Sequence, residues 1–426
     1  MRKTTLAVLC ILSCLLLAGC SITKPFADTA QLANPALSVE EKFALGGGIR
    51  VEVPYPEMYF QAHDYLERLT GLVNSAEDYI IITTFLGSWT EGLDELYSAI
   101  QAKAEAGVDV YMIIDGVSSY DMTASADNMF PLYYLRDSGV NLIEYNPLSV
   151  MNIIQPGSLI VREHRKIVVV DGRWCTIGGM NMNYISLGAD DINLQRDSMY
   201  VFDSPALASA LVSEFVTIWN ETSVNKVSED DFPPGTSLRE GNIPAYLFNQ
   251  GPGSDVSMAS MYAALFSSAQ EEIVMLPYLA FFDDNMYQCL EDALRRGVKV
   301  KIYLPIDSRE YVQGALFYDY HNLVEAGFDV SIEYAGEETG LSLLHQKLCV
   351  VDGRWTVIGS SNINFRSMGL SHEIALVLDD EDFALASLEQ VRQLAEDMHT
   401  LDLETAQQLR KEQGSFFSYL FSYFGG

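Results

Sequence analysis

The chain has 426 residues, enough for two domains of ordinary size. Its 58 acidic against 26 basic residues leave a net charge of −32. That balance argues against non-specific nucleic-acid binding and against broad electrostatic adsorption to anionic lipid.

Met1, Arg2 and Lys3 open a basic region, and residues 4–17 form an apolar stretch too short to span a bilayer comfortably. Leu17-Ala18-Gly19-Cys20 then resembles a bacterial lipobox. It implies cleavage before Cys20, a lipid on its sulfur, and a mature protein anchored to a membrane of the cell envelope on its non-cytoplasmic side. Residues 1–19 read as a signal peptide and 20–48 as a tether. The first domain is assigned to 49–235. Within it, an apolar run at 80–85 predicts a buried strand, 93–107 a helix ending at glycine, and 108–114 a second strand. Pro- and Gly-rich stretches at 231–235 and 250–255 mark a boundary. The second domain, 240–400, repeats the order: a strand at 273–278, a helix at 286–297, a strand at 298–304. The last part, 401–426, reads as a helix and an aromatic tail, fitting either packing on the second domain or an interfacial segment. Alternating strands and helices predict an α/β fold, duplicated, with a parallel or mixed sheet in each half. Of six cysteines, Cys175, Cys289 and Cys349 remain after the leader and Cys20. That odd count argues against a disulfide scaffold, and buried thiols are expected.

One pattern recurs in both halves. His164, Lys166 and Asp171 are followed by Gly178-Gly179-Met180-Asn181. His345, Lys347 and Asp352 are followed by Gly359-Ser360-Ser361-Asn362, each landmark displaced by 181 residues. Alternate strand residues share a face, so each lysine lies beside its histidine. Asp171-Gly172 and Asp352-Gly353 signal tight hairpin turns. A two-residue turn puts Gly179 opposite His164, Asn181 opposite Arg162, and Ser360 opposite His345. Asp171 lies roughly 23 Å along the strand from His164, so both aspartates read as turn and structural residues. No metal is expected, since a lysine two residues from each histidine would repel a divalent cation and no ligand-spaced cluster appears.

This doubled pattern resembles the signature of the phospholipase D superfamily, over about residues 80–380. The resemblance implies two phospholipase D-like α/β domains with one active site at their interface, and no cofactor. One histidine would attack phosphorus to form a phosphohistidine while the other serves as general acid and base. By resemblance His164 is the nucleophile and His345 the acid/base; the residues alone do not assign these roles. Lys166, Lys347, Asn181, Asn362 and Ser360 would donate hydrogen bonds to phosphate oxygens. Gly179 stands where the family usually has serine, a departure common in its cardiolipin synthase-like members. A carboxylate should hold the second nitrogen of each imidazole, and the family pattern points to Asp197 and Glu373. Arg162, Arg165, Arg173, Arg196, Arg354 and Arg366 could form a local positive pocket.

The stretch from Asn362 through Arg366 to Glu373 resembles the second-motif continuation of cardiolipin synthases, which join two phosphatidylglycerols. Against that reading, the two amino-terminal membrane helices common in such enzymes are not in this sequence, and Ser371 stands where Asn is frequent. The alternative is a phospholipase D or envelope phosphodiesterase that uses water instead. A nuclease is disfavoured by charge, and a scaffold with a dead site by two intact motifs. The expected partners are an anionic phospholipid substrate, phosphatidylglycerol foremost, and a membrane reached through Cys20; no nucleic acid is expected.

Overall fold

The computed structural model describes residues 29–116, 130–147, 161–188, 195–237, 239, 241–252, 256–306, 310–333, 343–396 and 398–424. The leader and Cys20 lie outside them. The predicted strands and helices form within a residue or two of their expected bounds. Strands β3 (Tyr79–Thr84) and β4 (Asp109–Asp115) are parallel, as are β11 (Glu272–Pro277) and β12 (Lys299–Leu304). The helix Asp284–Arg296 shows why local chemistry suffices. Asp283 caps the N–H groups of Asn285 and Met286, Arg295 and Arg296 close the last turn, and Gly297 leaves it at φ 92.

Each half builds one sheet. The first runs β2 (Glu57–Tyr59), β9 (Met199–Asp203), β7 (Trp174–Gly178), β6 (Ile167–Val170), β3, β4 and β5 (Asn141–Tyr145) in spatial order. The second runs β1 (Ile49–Val53), β10 (Ile243–Gln250), β17 (Glu373–Asp379), β16 (Trp355–Gly359), β15 (Lys347–Val351), β11, β12, β13 (Asp329–Glu333) and β18 (Met398–Thr400). Strand faces alternate between two cores. Ile81 and Val169 point to a core shared with Val274, Leu348 and Ile374 of the other half, and Ile80 and Val168 to the first half's own helices. This common core welds the halves face to face.

Two expectations about the amino-terminal region are corrected. Residues 29–48 do not form a loose tether: the helix Val39–Leu45 is capped by Ser38 and buries Phe43 against Tyr246, Phe248 and Trp355. Strand β1, assigned by sequence to the first domain, pairs antiparallel with β10 and so completes the second sheet. A five-residue edge strand carries no signal of which sheet it will join.

The hairpin register is also one residue off the expected one. Arg173 donates its N–H to Val170 at 3.1 Å, as a two-residue turn requires, with Asp171 and Gly172 at φ 49 and 59. The ladder then continues as Val170↔Trp174, because the Arg173 carbonyl turns to accept the N–H of Ser204. The second copy repeats this shift, with Arg354 accepting from Asp380 and Val351 opposite Trp355. One residue is bulged in each hairpin.

Asp171 and Asp352 sit at these turns. Asp171 accepts from the N–H groups of Glu77, Asp78 and Tyr79 at 2.8–2.9 Å. Asp352 accepts from Gln270, Glu271 and Glu272 at 2.8–3.0 Å. Each carboxylate thus ties its hairpin to the start of the neighbouring strand. Asp352→Ala should lower stability by about 1–2 kcal/mol, read from the denaturant midpoint, and leave turnover of the folded enzyme near that of the parent. A turnover loss far beyond the stability loss would place Asp352 in the chemistry.

Candidate active site

The motif residues gather at one end of both sheets. His164 and His345 lie three and two residues before β6 and β15, Gly179 and Ser360 directly follow β7 and β16, and Glu373 opens β17. The two halves are stitched together here by crossed backbone pairing. His164 donates its N–H to the carbonyl of His372 at 3.0 Å, and His372 donates to Arg162 at 2.8 Å. In the mirror arrangement β14 (Leu343–Leu344) pairs parallel with β8 (Gln195–Arg196), and the N–H of His345 donates to Arg196 at 2.9 Å.

This stitching delivers each acid to the histidine of the opposite half. His164 Nδ1 lies 3.0 Å from Glu373 Oε2, and His345 Nδ1 lies 2.7 Å from Asp197 Oδ2. All four side chains are buried. With Nδ1 facing a carboxylate, the imidazole carries its proton there and leaves Nε2 unprotonated, as a nucleophile or base requires; His345 Nε2 lies 3.3 Å from Lys347 Nζ. Spacing within either motif contains no trace of this exchange. Each histidine also rests on an aromatic ring that sequence reading placed only as a strand end. Phe85 meets His164 edge-on at 4.8 Å, and Tyr278 meets His345 at 4.5 Å.

The two lysines fold over those same rings, Lys166 at 5.2 Å from Phe85 and Lys347 at 5.4 Å from Tyr278. Each donates to the carbonyl of its own histidine, at 2.5 and 2.6 Å, which fixes the ammonium beside the imidazole. Lys347 Nζ also lies 3.0 and 3.3 Å from the two ring nitrogens of His345, whereas Lys166 keeps further donors for an anion. Asn181 Oδ1 accepts the N–H of Leu86 at 3.2 Å, so its amide nitrogen is available to donate. Asn362 Oδ1 is enclosed with no partner among the described residues.

Ser360 needs correction. Expected to bind phosphate, its hydroxyl instead donates to Glu373 Oε2 at 2.5 Å and accepts the N–H of Ile374 at 3.1 Å, so it positions the acid. The first copy shows why glycine replaces it there. A Cβ on Gly179 would stand 2.3 Å from Asp197 Oδ1, which already fills that space and accepts from Ser198 N at 2.8 Å. Gly179 is thus matched to Asp197, as Ser360 is to Glu373. Gly179→Ser should displace Asp197 and lower kcat by about 10²-fold or more with little change in melting temperature. Near-parental activity would refute the steric argument.

Burial dominates the electrostatics. It drives the His164 imidazole well below its usual value, with Lys166, Arg366, Lys347 and His345 adding repulsion. His345 is lowered to about 4, by burial and then Lys347, against the upward pull of Asp197. Burial also lowers Lys166 to about 7 and Lys347 to about 8, opposed by Glu373 and Asp197. It raises Glu373, against Lys166 and the Ser360 hydroxyl. Groups of both halves act on one another, so the two motifs form one electrostatic site. A phosphate diester placed among these cations would lift both histidines.

Of the six arginines near the motifs, five are neutralised by carboxylates. Arg162 pairs with Asp115 at 3.0 Å, Arg165 with Glu163 at 2.6 Å, Arg173 with Asp203 at 2.7 Å, Arg196 with Glu333, and Arg354 with Asp379. Arg366 has no carboxylate partner among the described residues. Its Nε is enclosed without a hydrogen bond, and its guanidinium lies 5.9 Å from the Phe85 ring that carries Lys166 and His164. It is the added site cation that sequence alone could not separate from the other five.

The chain is similar to known proteins. A family described as "Cardiolipin synthase, PLD-like domain" matches residues 69–219 and 262–398, one histidine–lysine motif in each segment. Cardiolipin synthase 1 of Staphylococcus epidermidis is 26% identical over 364 residues, covering 84% of this chain and 69% of that protein. The minor cardiolipin synthase ClsB of Bacillus subtilis is 24% identical over 360 residues, 82% of each chain. In fold, the chain is similar to the crystal structure of phosphatidylserine synthase from Haemophilus influenzae Rd KW20. The TM-score is 0.70 at 15% identity, over 91% of this chain and 98% of that one. With both motifs intact, paired across the interface and inside the matched segments, the chain belongs to the phospholipase D superfamily of enzymes, in its cardiolipin synthase-like family.

Proposed function

We propose that the protein transfers a phosphatidyl group from one phosphatidylglycerol to another, producing cardiolipin and glycerol. The observation that carries the reading is the crossed pair of carboxylate-held histidines, set among Lys166, Lys347 and Arg366. The family match and the cardiolipin synthase relatives support the choice of lipid. His164 Nε2 attacks phosphorus, the bond from phosphorus to the glycerol headgroup oxygen breaks, and His345 gives that oxygen a proton. The headgroup hydroxyl of a second phosphatidylglycerol then attacks the phosphohistidine. His345 takes its proton and the phosphorus–nitrogen bond breaks. The stronger upward pull on His345, from Asp197 at 2.7 Å, suits the group that must carry a proton. The lysines, Arg366 and the two asparagines meet the charge on the phosphate oxygens.

Product analysis tests this. The protein in mixed micelles of phosphatidylglycerol should release cardiolipin and free glycerol, with full activity in the presence of a chelator. Phosphatidic acid as the sole product would make it a hydrolase, and cleavage of single-stranded DNA without lipid turnover a nuclease. We further propose that Cys20 is lipidated and anchors the protein in the cell envelope. Fatty-acid labelling lost in Cys20→Ala would support this, and labelling retained there would refute it. No helix among the described residues is long and apolar enough to cross a membrane.

A further inference from the structure

The carboxy-terminal helix Phe416–Phe424 contains no charged residue, in a chain of net charge −32. Its inner face is anchored. Tyr419 packs on Tyr318 and Phe281, with ring centroids 5.2 and 5.6 Å apart, and Tyr423 stacks on Phe365 at 6.1 Å. Its outer face is largely open to solvent, with Phe416 touching Tyr318 and Phe421 touching Tyr311 only along one side. Phe416, Phe417 and Phe421 are 51%, 77% and 66% exposed. Phe417 and Phe421, four residues apart, lie one turn from each other on that face. A cluster of this kind marks an interaction site rather than ordinary surface scatter.

Beside Phe416 lies an open cavity of about 620 Å³, lined by Tyr318, His321, Gln407, Arg410 and Lys411 among others. The Arg410 guanidinium stacks on Tyr318 at 4.2 Å. One of its nitrogens lies 3.1 Å from both His321 Nδ1 and Asn322 Oδ1. Its other nitrogens have no protein partner among the described residues, and Lys411 is exposed and forms no ion pair with any of them. No neighbouring acid forms a direct ion pair with these cations among the described residues, although the Asp319 carboxylate attracts Arg410. Glu325 stands 3.8 Å from His321, Asp319 is buried beneath and accepts from Asn322 at 2.9 Å, and Glu412 is turned to Gln408 at 3.1 Å.

We propose that this helix and cavity form a face that docks on an anionic bilayer, with the phenylalanines in the acyl boundary and Arg410 and Lys411 on lipid phosphates. Charge complementarity argues for that occupant: a cationic pocket at the foot of an uncharged aromatic ridge fits a phosphate layer over hydrocarbon. Position agrees. The Tyr423 carbonyl accepts the N–H of Phe365 at 3.1 Å, and Phe365 lies between Asn362 and Arg366 of the site. Docking would therefore hold the second motif at the membrane surface. The choice of a bilayer over a second protein rests on the phospholipid reading above.

Vesicle flotation tests it, using the full chain with Cys20→Ala so that no lipid on that thiol contributes. Phe416→Ser/Phe417→Ser/Phe421→Ser should weaken partition onto phosphatidylglycerol vesicles about tenfold or more. Lys411→Glu should cost about fivefold or more on those vesicles and nothing on phosphatidylcholine. Added tryptophan emission in Phe417→Trp should shift to the blue and be quenched by brominated lipid. Both partition variants should turn over a monomeric short-chain phosphatidylglycerol like the parent. Parental partition of the triple variant, unshifted Phe417→Trp emission, or a change in oligomeric state with vesicle binding intact would overturn the proposal. Loss of short-chain turnover in the triple variant would also overturn it, making the helix a support of the site. Should the parent turn over no phospholipid yet show these binding losses, the functional reading fails and the docking face stands.

Discussion

Alanine at either His164 or His345 is expected to reduce lipid turnover by about 10⁴-fold to 10⁶-fold, with the fold intact. The two defects should differ in kind. In the proposed mechanism His164 makes the bond to phosphorus, so His164→Ala cannot form a phosphoenzyme with any substrate. His345→Ala retains the nucleophile and lacks only the proton donor. A phosphatidyl ester of p-nitrophenol needs no proton on departure, so His345→Ala should release one equivalent of nitrophenol and stall as a phosphoprotein. A burst from His164→Ala and none from His345→Ala would exchange the two roles. Parental activity in both would leave the site without catalytic function, as a scaffold requires. The proposed roles give the expectation its size, since one imidazole makes the bond to phosphorus and the other protonates the bond that breaks.

The second large effect follows from the crossed acids. Glu373→Gln and Asp197→Asn keep side-chain shape but remove the charge that fixes each imidazole's tautomer, and each should lower kcat by about 10²-fold to 10⁴-fold. KM for a monomeric substrate should change little, because neither acid is placed to touch the lipid. Pairing across the interface dictates which step fails. Glu373, in the second half, serves His164, so Glu373→Gln should suppress the nitrophenol burst. Asp197, in the first half, serves His345, so Asp197→Asn should keep the burst and slow the turnover that follows. If each acid served the histidine of its own half, the two phenotypes would be interchanged. The distances of 3.0 and 2.7 Å across the interface make the crossed outcome the expected one.

Much of this protein is legible along the chain. Asp283 and Gly297 delimit a helix because caps act over four residues. The run at Tyr79–Thr84 is buried on both faces, as the apolar residues at its start predict. The hairpin turns were legible from Asp-Gly, yet their registers were not. The bulges at Arg173 and Arg354 are imposed by the strand on the far side, through the N–H groups of Ser204 and Asp380. The role of Ser360 is illegible for a similar reason: a hydroxyl's partner depends on which carboxylate arrives beside it, here Glu373. Likewise, six arginines look alike until Asp115, Glu163, Asp203, Glu333 and Asp379 neutralise five of them.

The residue types that carry the chemistry, their repetition and the α/β character of each half were therefore determined by the sequence itself. Periodicity, turns and caps are short-range, and a duplicated motif can be read without knowing where its copies meet. Tertiary structure alone decided that β1 completes the far sheet, that Gly179 makes room for Asp197, and that each histidine takes its acid from the opposite half. His164 and Glu373 are separated by 209 residues, and His345 and Asp197 by 148. Contacts at that range are set by two sheets burying a common apolar core, and nothing in the local spacing encodes which carboxylate that packing brings to which imidazole.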